Sequence, residues 1–380
     1  LPIGLPIRLR AASLKGVESH VNKSVISKEI QSGQRMLFLD ALRAFASVMI
    51  LLHHFALYPP LCTHAEPILG SVVQWFHNYA RFTQVFFVVG GYVMACSMSA
   101  RSWNLAAVGH FLIRRYCRLG IPYLAAIVLA IVACAFARGW VPDDVLGMPP
   151  TLPQFVAHLF FLQDFLGYEH LSAGVWFVCI NFQMGLIYVA MLFLRDALTR
   201  WLGYPAGDAR TCVPMIAGWV ISVFSLFFFN LHPDWDSWAI YFFPYFFMGI
   251  AVHRALQSKR FEAGFWFYIF VVVVAMAFGW RWRLASALIV GLLLFGVGKS
   301  GLGACWPKSR LIARMGQVSY SLFLVHFPIL IAVATVWERL GWTSPAYAVV
   351  GLFTAFLASV AAAFAFHRYI EIPVAGLLRK

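Results

Sequence analysis

Of the 380 residues, 62% are hydrophobic and only 12% are charged, more apolar surface than a soluble core of this size needs, so a water-soluble enzyme is excluded and a polytopic membrane protein is indicated. A net charge of +14 would point to nucleic acid in a soluble chain, but in a membrane protein it reads as topology, and no nucleic-acid partner is expected. The seven cysteines show no CxxC or Cys/His spacing, so neither a disulfide framework nor a zinc site is inferred, and no metal is expected.

Residues 1–35 are polar and mixed in charge, and read as a cytoplasmic tail. They lack a compact apolar segment with a small-residue cleavage site, so a removable signal peptide is not expected. The apolar runs then fall at 37–57, 82–100, 111–137, 174–195, 213–231, 238–256, 264–280, 284–299, 318–338 and 346–368, most of them near bilayer-spanning length. The stretch 154–166 reads as an interfacial or re-entrant helix. The expectation is an all-α polytopic membrane protein of about ten transmembrane helices, in one domain over 36–375 embedded in the lipid bilayer. Lys and Arg test the orientation: with the amino terminus inside, 22 of the 29 fall in the tail or in cytoplasmic segments and 5 in outer loops. This asymmetry predicts an even helix count with both termini cytoplasmic.

The first run carries Asp40, Arg43, His53 and His54. Ionisable groups in a span are costly, so they face a partner or a wet cavity. Eleven residues at about 100° each leave Arg43 and His54 about 20° apart in azimuth and about 16 Å apart along the axis, on one stripe. His53 points roughly 100° away, so the adjacent pair does not make a metal site. The predicted topology also gathers Arg43, Arg114, Arg115, Arg118, Ser319, Tyr320 and Glu371 at cytoplasmic helix ends, although they come from four different spans. His54 lies near the outer end of its helix, and His326 lies about 10 Å into the ninth. The outer loops 58–81 and 138–173 hold Trp, Tyr, His, Asp and Gln suited to a sugar.

The order of several blocks resembles the acyltransferase 3 family, multi-span bacterial enzymes that acylate surface glycans. LDALR followed by His54 matches its Arg-x10-His helix, and FFVVGGYVM (86–94) resembles its FFvlSGf block. FLIRRYCRLGIPY (111–123), SYSLFLVHFPIL (319–330) and FHRYIEIP (366–373) resemble its RRxxRxxPxY, SYslYlvHfP and fhRxxExP blocks. There are departures: Asn181 stands where a Glu is common in the block WFVCINFQMGLIY (176–188), which keeps Trp176 and Gln183, and Gly90 replaces the Ser of FFvlSGf. Both point to a subfamily with a different acceptor or acyl group. No appended hydrolase-like domain, as some relatives carry, is expected.

The resemblance implies a bacterial inner-membrane O-acyltransferase that moves an acyl group, most simply acetyl, from cytoplasmic acyl-CoA to a hydroxyl of a periplasmic or surface glycan. Acetyl-CoA or another acyl-CoA is the donor substrate and the glycan the acceptor partner, with a homo-oligomer or glycan-synthesis partners left open. Arg115 and Arg118 would hold the donor phosphates, since guanidinium forks match phosphate oxygens in pairs; Ser319 and Tyr320 would belong to the same acyl-CoA-binding site. Arg114 reads as a topology charge. His54 would take the proton of the attacking hydroxyl, a role worth roughly 10²–10⁴-fold, while Arg43 holds the donor or pairs with Asp40, and Glu371 orients an arginine. His326 is a site residue or an interhelical hydrogen-bonding group; Gly90 and Gly91 serve helix packing or touch substrate. Direct transfer is favoured over an acyl-histidine intermediate. The alternative functions are a transporter or exporter of acyl groups or small anions, and a silent subunit of a polysaccharide synthase.

Overall fold

The computed structural model describes residues 37–203, 208–302 and 307–378, with the side chains of 208–211 left aside. The expected tail at 1–35 lies outside these residues. The described residues form helices and connecting turns with no strand. Among the described residues ten helical stretches are long and apolar enough to cross a membrane, so this is a multi-pass membrane protein.

The elements are α1 (Leu37–Leu57), α2 (Leu61–Tyr79), α3 (Thr83–Met98), α4 (Leu105–Ala137), the short α5 (Asp143–Leu146) and α6 (Leu152–Leu159), and α7 (Val175–Leu202). Then come α8 (Asp208–Phe227), α9 (Ala239–Gln257), α10 (Lys259–Phe278), α11 (Trp282–Ser300), α12 (Arg310–Arg339), α13 (Pro345–Phe366), a π turn (His367–Glu371) and α14 (Ile372–Leu377). Every predicted apolar run is found within one of these helices or overlaps it. Several helices begin earlier than hydropathy alone places them, because a polar cap sets the start. Asn104 accepts from the Ala107 N–H at 2.8 Å and opens α4, and Ser309 caps α12 through the Ile312 N–H at 3.3 Å.

α2 is the one long helix that hydropathy did not reveal, since 58–81 reads as an outer loop. Its apolar positions recur at helical spacing, but His64, Glu66, Gln74, His77 and Asn78 lower its mean hydropathy below that of a span. It packs against α1 and α13. The segment 138–174 folds back along α4, which fits the re-entrant one of the two readings that the sequence leaves for 154–166. The Tyr116 hydroxyl donates to the Leu159 carbonyl at 2.6 Å, and Phe161 packs on Tyr116 and Tyr123, well below the end of α4 at Ala137. Its backbone is satisfied by local turns, including Leu162 N–H to Ala157 O at 2.8 Å and Tyr168 N–H to Gln163 O at 2.9 Å, as irregular backbone at this depth requires.

α9 is the centre of the bundle, with 89% of its apolar window buried against 22% for α10, so α9 is apolar on all sides while α10 turns most of its surface to lipid. Close approach to α3 depends on Gly91 and Gly249, where an added Cβ would overlap the backbone of Phe246 and of Val88. A second seam joins α12 to α1. Gly316 lies against the backbone of Asp40, which brings the two helices together along their length and sets His326 beside His54.

Candidate functional site

Two cavities open on opposite sides of an aromatic partition. The first, of about 410 Å³, is lined by Asp40 and Arg43 from α1, Arg115 and Arg118 from α4, Asn181 from α7, Gln317, Ser319 and Tyr320 from α12, and His367 and Glu371 from the π turn. We call it the basic cavity. The second, of about 540 Å³, is the histidine cavity, lined by His53, His54 and Tyr58, by Arg81 and Arg283, and by Glu169, His170 and Trp176. Phe323 of α12 borders both. Its ring packs edge-on to Phe86 and Phe177, with centroids 6.3 and 5.1 Å away, and these three rings separate the cavities.

α1 therefore serves both sides. Arg43 and His54 share a stripe, but the stripe runs past the partition and delivers one residue to each cavity. His53 diverges in azimuth yet still reaches the histidine cavity, where its Nδ1–H donates to the Phe76 carbonyl at 3.1 Å and ties α2 to α1.

His54 Nδ1 lies 2.7 Å from His326 Nε2, with the rings stacked at 11°. His326 Nδ1 lies 3.2 Å from the Leu322 carbonyl, which can only accept, so that nitrogen carries a proton. In the neutral ring His326 Nε2 is then the acceptor, and His54 Nδ1 donates to it. This ordering leaves His54 Nε2 bare, with a lone pair available to a ligand in the cavity. His326 itself is fully buried and lines neither cavity, so it acts on a ligand only through His54.

In the basic cavity Arg115 is anchored by Asn181: its Nη2 donates to the Asn181 carbonyl at 2.6 Å and to the side-chain Oδ1 at 3.1 Å. Both acceptors are neutral, so Arg115 is oriented without being neutralised. Where the family pattern has a Glu, a carboxylate would cancel that charge. Arg115 Nε is buried with no hydrogen-bond partner. Arg118 is exposed at the cavity. Arg114 turns the other way and donates to the carbonyl of Leu378.

Tyr320 donates to the Leu119 carbonyl at 2.8 Å and ties α12 to α4 beside Arg118; Ser319 donates to Gly316 O at 2.9 Å within its own helix. Glu371 accepts from Ser321 at 2.7 Å and from His367 Nδ1 at 2.8 Å, so its hydrogen bonds brace the π turn against α12. The two glycines of the FFvlSGf-like block divide: Gly91 is a packing position, whereas Gly90 lines the basic cavity and has only Phe246 near its missing Cβ, at 4.0 Å. Trp176 joins the histidine cavity and stacks on Phe242 at 5.3 Å, and Gln183 lines neither cavity. Among the described residues no group of three or more His, Cys, Asp or Glu is placed to hold a metal ion.

An acyltransferase domain model matches residues 36–364, nearly the whole chain. The chain belongs to the acyltransferase 3 family. As a member it is a membrane acyltransferase, and each of its five sequence blocks contributes residues to the two cavities. No curated protein and no solved structure matches it.

The residues that sequence reasoning passed over are Phe323, Tyr58, Arg81 and Arg283. Phe323 lay inside the SYslYlvHfP-like block as one more apolar residue. Arg81 and Arg283 were counted as outer-loop charges, and the signal that singles them out is their scarcity: few cations stand on that side.

Proposed function

We propose that this membrane acyltransferase transfers an acyl group, most simply acetyl, from a cytoplasmic acyl-CoA to a hydroxyl of a periplasmic or surface glycan, from the inner membrane of a bacterium. The observation that carries this reading is the pairing of two cavities of opposed chemistry across one aromatic partition. The basic cavity suits a polyanionic donor: Arg115 is pre-oriented by neutral acceptors and Arg118 is open to a phosphate, and guanidinium pairs bind phosphate oxygens by charge-assisted hydrogen bonds. The donor's pantetheine arm then extends past Arg43 and between Phe86, Phe177 and Phe323, which brings the thioester carbon to the histidine cavity.

There the bare Nε2 of His54 takes the proton of the acceptor hydroxyl as its oxygen attacks the thioester carbonyl. The new C–O bond forms, the C–S bond breaks, and the proton passes from His54 to the departing thiolate, so an ester and a free thiol result. His326 holds the His54 ring and fixes its tautomer; it is a positioning residue. Stacking of His54 with Tyr58, 5.8 Å between centroids, adds to that restraint. Direct transfer needs no second nucleophile and is the simpler path through this geometry.

The test is a transfer assay with purified protein, labelled acetyl-CoA and envelope glycan. Labelled glycan is expected with the native chain and not with His54→Ala. Transfer that survives His54→Ala removes the imidazole from the mechanism, and donor affinity unchanged in Arg115→Gln removes the basic cavity from donor binding.

A further inference from the structure

Beside the histidine cavity lies another of about 600 Å³, and the two share Arg81 and Arg283. Arg81 stands in the link between α2 and α3, Arg283 in the first turn of α11, and Arg281 just before it. Three guanidinium groups line this side cavity and, among the described residues, no carboxylate does. The histidine cavity differs, since Asp144, Glu169 and Asp236 also face it.

The three arginines are not equivalent. Arg281 is a structural knot: it donates to Gly279 O at 2.9 Å, Leu226 O at 3.0 Å and Asn230 Oδ1 at 2.8 Å, neutral acceptors that fix it and leave its charge in place. Arg283 sits 3.6 Å from a half-exposed Asp236, in a loose pair. Arg81 makes no hydrogen bond and no ion pair among the described residues. A separate observation points to a ligand at the same place. Gln84 is 2% exposed and its Nε2 donates to Ser286, while its Oε1 has no partner although it is buried at the side cavity. Buried acceptors are nearly always paired. The rim is aromatic: Trp75, Tyr79 and Trp282 are all about half exposed, and Tyr79 and Trp282 meet edge-on at 5.8 Å. Such faces pack against the C–H faces of sugar rings.

We propose that the acceptor is anionic and that the side cavity is its second subsite. The negative group lies between Arg81 and Arg283, a neighbouring sugar hydroxyl donates to Gln84 Oε1, and the hydroxyl to be acylated reaches His54. The inference rests on the reading of the protein as a glycan acyltransferase and adds the substrate class. The anion has two chemical sources, the diphosphate through which a glycan is joined to a lipid and the carboxylate of an acidic sugar; both are recognised by the same guanidinium pair.

Three acceptors of equal glycan length separate the cases: a neutral oligosaccharide, a uronic-acid oligosaccharide, and the neutral one joined through diphosphate to a short polyprenyl chain. Equilibrium binding of each in radiolabelled form, and transfer to each from acetyl-CoA, are measured with the full chain in detergent. At least one anionic acceptor is expected to bind 10-fold or more tighter than the neutral one, and which one does so names the source. Arg81→Gln should cost that acceptor about 10- to 100-fold and leave neutral-acceptor binding and donor KM unchanged, with Arg81→Lys recovering part of the loss. The proposal is overturned if the native protein binds none of the three, binds all equally, or if Arg81→Gln weakens all equally. If no acceptor is acylated but the anionic preference and its loss in Arg81→Gln persist, the glycan-transfer reading falls and the anion subsite stands.

Discussion

The basic and histidine cavities are of similar size, yet each is specialised in a way the other is not. One presents fixed positive charge held by neutral acceptors; the other presents a lone pair held by an ordered chain of hydrogen bonds. Charge of that kind binds and does little to bonds, whereas an imidazole of that kind moves protons and binds weakly. Under the proposed function, the difference teaches that recognition of the donor and chemistry on the acceptor are divided between the two ends of one helix, α1, with Phe323 and its neighbours between.

The sharpest way to break this division is at His54. His54→Ala should lower transfer by roughly 10²–10⁴-fold with membrane insertion and donor binding intact, read as labelled glycan per mole of protein. Arg115→Gln should act on the other side alone, raising donor KM about 10- to 100-fold with kcat changed far less; a fall confined to kcat would contradict the assignment. His326→Ala should lower kcat about 10-fold by freeing the His54 ring. His326→Gln should recover much of that, since a Gln oxygen can accept from His54 Nδ1–H, and a purely structural role would show no such recovery. Phe323→Ala should join the two cavities and raise acyl-CoA hydrolysis without acceptor by a few-fold, on the order of 1 kcal/mol in the barrier.

The smallest effect concerns the re-entrant segment that walls the histidine cavity. His158 is buried there, its Nδ1–H donating to Gln154 O at 2.8 Å and its Nε2 accepting from the Leu171 N–H at 3.2 Å. Burial lowers its pKa below the ordinary 6.5. The folded segment thus favours the neutral ring, and its stability is complete above pH 6.5 and falls as the pH drops from there toward the lowered value. Amide protection over 138–174, with each rate referred to the intrinsic rate at the same pH, should fall between pH 7.5 and 5.5 in the native protein, and much less in His158→Asn.

Much of this was legible in the sequence because bilayer length and the cost of buried charge are strong local signals. The spans, the Arg43–His54 stripe and the convergence of basic residues with Ser319 and Tyr320 follow from them, whereas 154–166 was left between an interfacial and a re-entrant helix. α2 was hidden because its polar face makes it too hydrophilic to register as a span, and amphipathic helices are invisible to a hydropathy threshold. The His54–His326 bond was hidden for a different reason: it depends on the register between α1 and α12, which Gly316 sets through contact with the Asp40 backbone. Nor does spacing reveal that one stripe is cut by three phenylalanines from three other helices. Glu371 was expected to orient an arginine; its hydrogen-bond partners are Ser321 of α12 and His367, which the π turn brings to it.

The interlock of α3 and α9 has a mechanical meaning. With each glycine seated on the opposite main chain, at Gly91 and Gly249, these two helices cannot slide past one another without steric collision, and they form a rigid keel. Phe86 rides on that keel. Any opening between the two cavities would therefore have to come from aromatic rings swinging about their χ angles or from displacement of α7 and α12, a hinged shutter set in a stiff frame.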